Sequence, residues 1–419
     1  MRKIVFFTLF CFAFFCEYSV DNKIVSSINE ETTDDANTNS NSGLGNENVS
    51  INYSNFIKAY YNTSRIITVS KEFILVDGVT NTILLCKNEK QKMYPSSMTK
   101  MMTLYVLFDY LDSGKLKLGD VFNVSDYAHN KQGSKMFLAS GEKVSIDNLI
   151  NGIVVVSGND AAITVAENIA GSETAFKDLM QEYASELGMK DSHFNNCTGW
   201  PDQDHFSSAY DIMLLAINLW KKFPTFNDRF SQKKFSHNGI KQSTYNDLML
   251  RNKNVDGIKT GHTDAGGYGI AATYRCTSDP KRRLFLVING AKNEKERRED
   301  ALRLFTFAER KFGNYVLFKK HQKIKDMIVV NGTEKSVGAE LHEDIVMSLD
   351  RKFLNKIKCY VTYNRPLQNV KKGDKIGVLK IQLDNESNTY DLYADKTIEK
   401  ANIFVRFVNG IKYILLGEI

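Results

Sequence analysis

Cysteine is sparse and scattered. Cys11 and Cys16 lie near the amino terminus, and Cys86, Cys197, Cys276 and Cys359 are spread widely with no C-x-x-C. That excludes a disulfide-dense miniature fold and a paired-cysteine metal or redox motif, and four single buried thiols are expected. Proline is scarcer, five in 419 residues, which excludes a collagen-like chain. His129, His193, His205, His237, His262, His321 and His342 show no H-E-x-x-H and no paired ligand spacing, so no metal and no cofactor are expected. His205 sits near Asp202 and Asp204, where loop capping explains it. There is no G-x-S-x-G. Gly267-Tyr268-Gly269-Ile270-Ala271-Ala272 fits G-x-G-x-x-A but leads into a strand, so it reads as a turn and not a nucleotide site. A net charge of +6 is mild, and no basic stripe or finger is present, so nucleic acid is not an expected partner.

What is there is an ordinary globular composition, 42% hydrophobic and 25% charged, on a chain long enough for two or three domains. Residues 1–20 carry Arg2 and Lys3, then an apolar run from Ile4 to Cys16. That run suits a secretory signal and is short for a membrane span. Residues 21–60 are rich in Asn, Ser, Thr, Asp and Glu and read as a disordered polar linker.

From about Ser64 the texture changes. ITVSKEFILVD and NTILLCKN read as two strands of a hairpin, and SMTKMMTLYVLFDYLDSG as a helix stopped at Gly114. Helical spacing follows on both sides of a break at Ser157-Gly158-Asn159, then in AFKDLMQEYASELG and SAYDIMLLAINLWKKF. NVDGIKTG, GYGIAATYRCTS and KRRLFLVINGA read as strands, and 295–312 as a closing helix. Strands, helices, strands and a helix make an α+β order, not βαβ alternation. Residues 61–314 form this first domain. Short alternating runs over 315–396 read as a small all-β domain. The tail, 397–419, places Phe404, Phe407, Val408, Ile411, Ile414 and Leu415 on one face of a helical wheel, which suits a membrane interface. A final strand, IFVRFV, is the alternative.

Three motifs carry chemistry. Ser97-Met98-Thr99-Lys100 is S-x-x-K, Ser157-Gly158-Asn159 is S-x-N, and Lys259-Thr260-Gly261 is K-T-G. Ser97 and Lys100 share a helix face, so the amine reaches the hydroxyl. Lysine removes that proton only when neutral, which burial or a second cation such as Lys259 would favour. A helix break aims Ser157 and Asn159 into a cleft, where Ser157 could relay a proton and Asn159 orient an amide. A strand carrying Lys259 and Thr260 can hold a carboxylate and pair with an extended peptide, with Gly261 leaving room. Each motif alone is weak. In order, on matching elements and separated by 60 and 102 residues, they point to one site.

The chain resembles the D-alanyl-D-alanine carboxypeptidases of the low-molecular-mass penicillin-binding protein family. The likeness runs through PSSMTKMMTLYV, GSKMFLASGEKVSIDNLINGIVVVSGNDAA, TGWPDQDHFSSAYDIMLLA and VDGIKTGHTDAGGYGIAAT, about residues 65–312. It implies a penicillin-binding, β-lactamase-like transpeptidase domain, a central antiparallel sheet flanked by helices, followed by the small all-β domain. It implies that Ser97 is acylated, that Lys100 is the general base and that Ser157 and Asn159 assist proton transfer and substrate binding. Lys259 would support the low Lys100 pKa, Thr260 would contact the terminal carboxylate, and the backbone N–H groups of Ser97 and His262 would form the oxyanion hole. Arg297, beside Arg298, matches a family arginine of the cleft. The implied partners are the peptidoglycan stem peptide, β-lactams as inhibitors, and the outer face of the cytoplasmic membrane through the tail. The implied place is the bacterial periplasm, peripherally attached to the inner membrane. Tyr210 and Cys197 depart from the family's commoner Arg and Ala.

Other readings on the same scaffold are an endopeptidase, a β-lactamase and a non-catalytic wall-binding protein. The β-lactamase reading needs a glutamate that activates water in an E-x-x-L-N context between the second and third motifs, and none is present.

Overall fold

A computed structural model describes residues 66–363, 367–384 and 386–408, with the short strands Ile28–Glu30 and Ile57–Lys58. The signal-like segment lies outside the described residues. So does most of the polar stretch after it, yet those two strands fall inside that stretch. A strand needs only backbone groups to pair, so a polar sequence does not prevent it.

Strands are numbered in chain order: β1 Ile28–Glu30, β2 Ile57–Lys58, β3 Glu72–Asp77, β4 Thr82–Lys87, β5 Val121–Asn123, β6 Lys143–Ser145, β7 Lys234–His237, β8 Ile240–Ser243, β9 Val255–Thr263, β10 Gly267–Arg275 and β11 Arg283–Ala291. Helices are α1 Lys100–Asp112, α2 Asp126–Asn130, α3 Ile146–Val156, α4 Asn159–Ala170, α5 Glu173–Glu186, α6 Ala209–Lys222, α7 Asp247–Arg251 and α8 Glu294–Lys311. The main sheet runs β2-β4-β3-β11-β10-β9, antiparallel from β4 to β9.

Both faces of this sheet are covered, which is why its strands read as continuous apolar runs. Ile74 and Val76 of β3 and Phe285 and Val287 of β11 face the core shared with α1 and α3 to α6. Their neighbours Phe73, Leu75, Leu284, Leu286 and Ile288 face α8, against Ala301, Leu304, Phe305 and Ala308. The helices start where small polar residues cap them. The side chains of Ser145, Ser172, Ser208 and Asn293 accept from the backbone N–H groups of Asn148, Ala175, Asp211 and Glu296.

Residues 314–347 and 352–408 belong to a second compact unit. It contains β12 Phe312–Phe318, β13 Lys323–Ile328, β14 Ser336–Glu340, β15 Ile345–Asp350, β16 Lys358–Thr362, β17 Lys375–Leu383 and β18 Glu386–Ala394, the ends of β12 and β15 reaching outside it. Its sheet order is β1-β16-β17-β18-β14-β13, with β1 parallel to β16. Cys359, Val361, Leu379, Ile381, Leu383 and Leu392 alternate along these strands as its core. Residues 403–408 are helical and expose Ile403, Phe404 and Phe407; 409–419 lie outside the described residues. Among the described residues no helix is long and apolar enough to cross a membrane.

Candidate active site

Ser97 does not lie in the first turn of an α-helix. It sits in a 3₁₀ turn, Ser96–Thr99, and the α-helix begins at Lys100. A 3₁₀ turn stacks residues three apart directly in line, and Lys100 Nζ accordingly lies 2.9 Å from Ser97 Oγ. The amine also donates to the Thr198 carbonyl at 2.7 Å. Lys100 is fully buried, and burial lowers its pKa from 10.5 to about 7. Asp160 and Glu173 oppose that shift, while Lys131 adds to it. Burial, and not Lys259, is therefore the main reason this amine sheds its proton.

The second motif lies at the junction of α3 and α4. Ser157 caps α3 in the left-handed conformation (φ 54°), and its buried Oγ has no hydrogen-bond partner among the described residues. Asn159 opens α4 and donates from Nδ2 to the Gln132 carbonyl at 2.8 Å. Asp160 beside it accepts from the N–H groups of Met136 and Leu138 at 3.0 and 3.1 Å. Those bonds tie the 132–138 loop, with Ser134 in the cleft wall, to the helix junction.

The third motif lies near the end of β9, the outermost strand of the sheet. Lys259 is buried, and its pKa is held well below the lysine value by burial first, then by Lys100 and Arg297. Gly261 makes room not for a ligand alone but for the serine turn. A Cβ there would stand 2.9 Å from the Pro95 carbonyl and 3.2 Å from Met98 N. Gly266 and Gly269 pack the same hairpin on Ser96 and Met98. His262 is exposed and stacks on Tyr268, with ring centroids 3.9 Å apart. Arg297 is buried on α8. Its Nη2 donates to Asp247 at 2.8 Å, while its Nε has no partner among the described residues. Arg298 pairs with the other oxygen of the same aspartate.

These groups meet in one cleft of about 240 Å³, walled by Ser97, Ser157, Thr260, Gly261, His262 and Arg297. Lys100, Lys259 and Asn159 support it from behind. Ser134, Tyr245, Tyr268 and Glu294 complete the wall and were not anticipated from the sequence. Asn196 was also missed. Its Oδ1 accepts from the N–H groups of Thr198, Gly199 and Trp200, shaping the turn whose carbonyl holds Lys100. His205 is more than a loop residue. Its Nδ1 accepts from the Asn195 N–H, so Nε2 carries the hydrogen and donates to Thr99 Oγ1 at 2.8 Å. Burial lowers its pKa to about 4. Cys197, Cys276 and Cys359 are buried thiols. No group of His, Cys, Asp and Glu able to hold a metal ion occurs among the described residues.

A family model described as D-alanyl-D-alanine carboxypeptidase matches residues 61–293. The chain belongs to the D-alanyl-D-alanine carboxypeptidase family. A second model, described as the C-terminal domain of penicillin-binding protein 5, matches 312–400. The carboxypeptidase DacF of Bacillus subtilis is 30% identical over 358 residues, 83% of this chain and 90% of its own length. The carboxypeptidase DacA of Escherichia coli is 31% identical over 356 residues, 82% of this chain and 87% of its own. The crystal structure of penicillin binding protein 5 from Haemophilus influenzae superposes with a TM-score of 0.73 at 29% identity, covering 81% of this carboxypeptidase-family chain and all of that one. The α+β peptidase domain and the all-β domain after it are the architecture of this family.

Proposed function

We propose that this family member is a serine D-Ala-D-Ala carboxypeptidase that removes the terminal D-alanine from peptidoglycan stem peptides. One observation carries the reading: a fully buried lysine amine within 2.9 Å of the Ser97 hydroxyl, in a cleft shared with Ser157 and the β9 edge.

With Lys100 neutral, its lone pair takes the Ser97 proton while an N–H stays on the Thr198 carbonyl. Ser97 Oγ then attacks the carbonyl carbon between the two D-alanines. The oxyanion falls to the backbone N–H groups of Ser97 and His262. The C–N bond breaks as Lys100 returns that proton to the departing amine through Ser157, whose hydroxyl has no other partner among the described residues, and Lys100 is neutral again. D-alanine leaves, and water attacks the ester with Lys100 again as base. Lys259, Thr260 and the guanidinium of Arg297 hold the terminal carboxylate. Asn159 holds the substrate amide, and β9 pairs with its backbone as an outer strand. A β-lactam acylates the same serine.

The assigned parts are a signal at 1–20, a linker over 21–60, the peptidase at 61–314, the β-rich domain at 315–396 and a membrane-associating tail at 397–419. The place is the periplasm, on the outer face of the cytoplasmic membrane. The test is intact-mass measurement after exposure to a labelled penicillin, together with D-alanine release from a D-Ala-D-Ala peptide. Label on Ser97, and loss of both signals in Ser97→Ala, are expected. Release that survives Ser97→Ala overturns the reading, and a chain that takes no label is a non-catalytic scaffold.

A further inference from the structure

The all-β unit has a cleft of its own, which the proposed reaction does not use. β14 pairs with β18 only at Ala339–Ala394 and Glu340–Tyr393. Past Glu340 the chain turns away toward β15. Among the described residues no other strand neighbours that side of β18. The two strands part there and leave a wedge of about 480 Å³. It is lined by His342 and Glu343 on one side and by Thr389, Tyr390, Asp391 and Tyr393 on the other.

The wedge offers three kinds of contact. The His342 and Tyr393 rings stack face to face, centroids 3.8 Å apart and 5° from parallel, so each braces the other and the outer face of the pair is a rigid aromatic plate one ring wide. Glu343 and Asp391 are exposed carboxylates, Asp391 also pairing with Lys375 at 2.8 Å. Tyr390 is half-buried, and burial together with Glu343 pushes its pKa up, so its hydroxyl stays a donor. The open flank of β18 adds backbone N–H and C=O groups.

One ligand class uses all three at once. The pyranose ring of an N-acetylated hexosamine presents a flat C–H face to aromatic plates, hydroxyls to carboxylates and an amide to a strand edge. A small cation would use the acids and leave the strand edge idle. An extended peptide would use the edge and gain little from the plate. We propose that the wedge between β14 and β18 binds a chain of N-acetylated hexosamines, the glycan portion of the wall, independently of the Ser97 cleft.

The experiment uses the full chain and a soluble chitin oligosaccharide, titrated by calorimetry. Binding is expected, and Glu343→Gln and His342→Ala should each weaken it about tenfold, the loss of one good contact. Both residues are exposed, and an unchanged melting temperature checks the fold of each variant. D-alanine release from a short sugar-free peptide should be the same in both variants as in the parent. No binding by the parent chain, or binding that both variants keep, overturns the proposal. So does a sugar-free stem peptide that binds the wedge in place of the sugar, which would assign it to strand addition. Oligosaccharide binding without D-alanine release would remove the carboxypeptidase reading and leave this one standing.

Discussion

The Thr198 carbonyl holds the Lys100 amine at 2.7 Å, closer than the 2.9 Å from that amine to Ser97 Oγ. The base is therefore fixed by a turn almost a hundred residues downstream, and its freedom to reach the serine depends on that turn.

Lys100 must be neutral to accept the Ser97 proton, and its pKa is about 7. Above that value the amine is ready; below it the amine is charged. The rate of acylation by a penicillin should rise with pH through about 7 and fall roughly tenfold per unit beneath it. A stopped-flow pH series on the purified chain reads this directly, and a flat profile would contradict the assigned base.

Gly199 supports the same turn. Its φ is +78°, and a Cβ there would stand 1.8 Å from the Ser96 carbonyl oxygen. Gly199→Ala must push the 196–200 turn away from the serine turn. An acylation rate lower by about a hundredfold is expected, in line with an ångström-scale misplacement.

His205 stays neutral in the fold to a pH of about 4, against an ordinary value of 6.5. Between those values the unfolded chain binds a proton that the folded chain refuses. Stability therefore falls as pH drops through this window, by about 2 kcal/mol at pH 5. His205→Gln has no such proton to refuse and can still donate to Thr99. Unfolding free energies from urea melts at pH 7 and pH 5 should differ less in this variant, by about that amount.

Arg297 lines the cleft, and among the described residues its buried Nε has no partner. Arg297→Ala should lower kcat/KM on a D-Ala-D-Ala peptide by about a hundredfold, roughly 2.7 kcal/mol, the scale of a lost buried carboxylate contact. A peptide ending in an amide lacks that contact and should be turned over equally poorly by both forms. An equal loss on both peptides would make Arg297 a strut and not a carboxylate ligand.

The helix at 403–408 exposes Ile403 by 83% and Phe404 by 74%. Full-length protein should float with anionic liposomes, and protein ending at Thr397 should not. Equal flotation would locate membrane binding elsewhere.

The sequence made some of this legible and hid the rest for physical reasons. Periodicity exposed the β3–β4 hairpin, the helix after Ser97 and the three strands behind the cleft, because burial on both sheet faces leaves long apolar runs. The β7–β8 hairpin was missed although Asn238-Gly239 marks it, both residues having positive φ. Its strands are short and mostly exposed, so they carry little apolar signal. That Ser97, Ser157 and Thr260 share one cleft was legible because they sit in three short motifs in order. The parts that hold them were not: the His205–Thr99 bond spans 106 residues and the Thr198–Lys100 bond 98. Nothing local in the sequence signals a carbonyl acceptor. Burial and Lys259 were both expected to lower the Lys100 pKa, and burial does most of it; which of the two would dominate was not legible, because the depth of burial is a property of the assembled core and not of any motif.

The β9–β10 hairpin meets the serine turn through backbone. Gly261, Gly266 and Gly269 press the β9–β10 hairpin onto the serine turn with no space for a side chain. Substitutions that reshape the entrance must therefore work through side chains already in the wall, such as Ser134, Tyr245 and Glu294, and not through added bulk at these glycines.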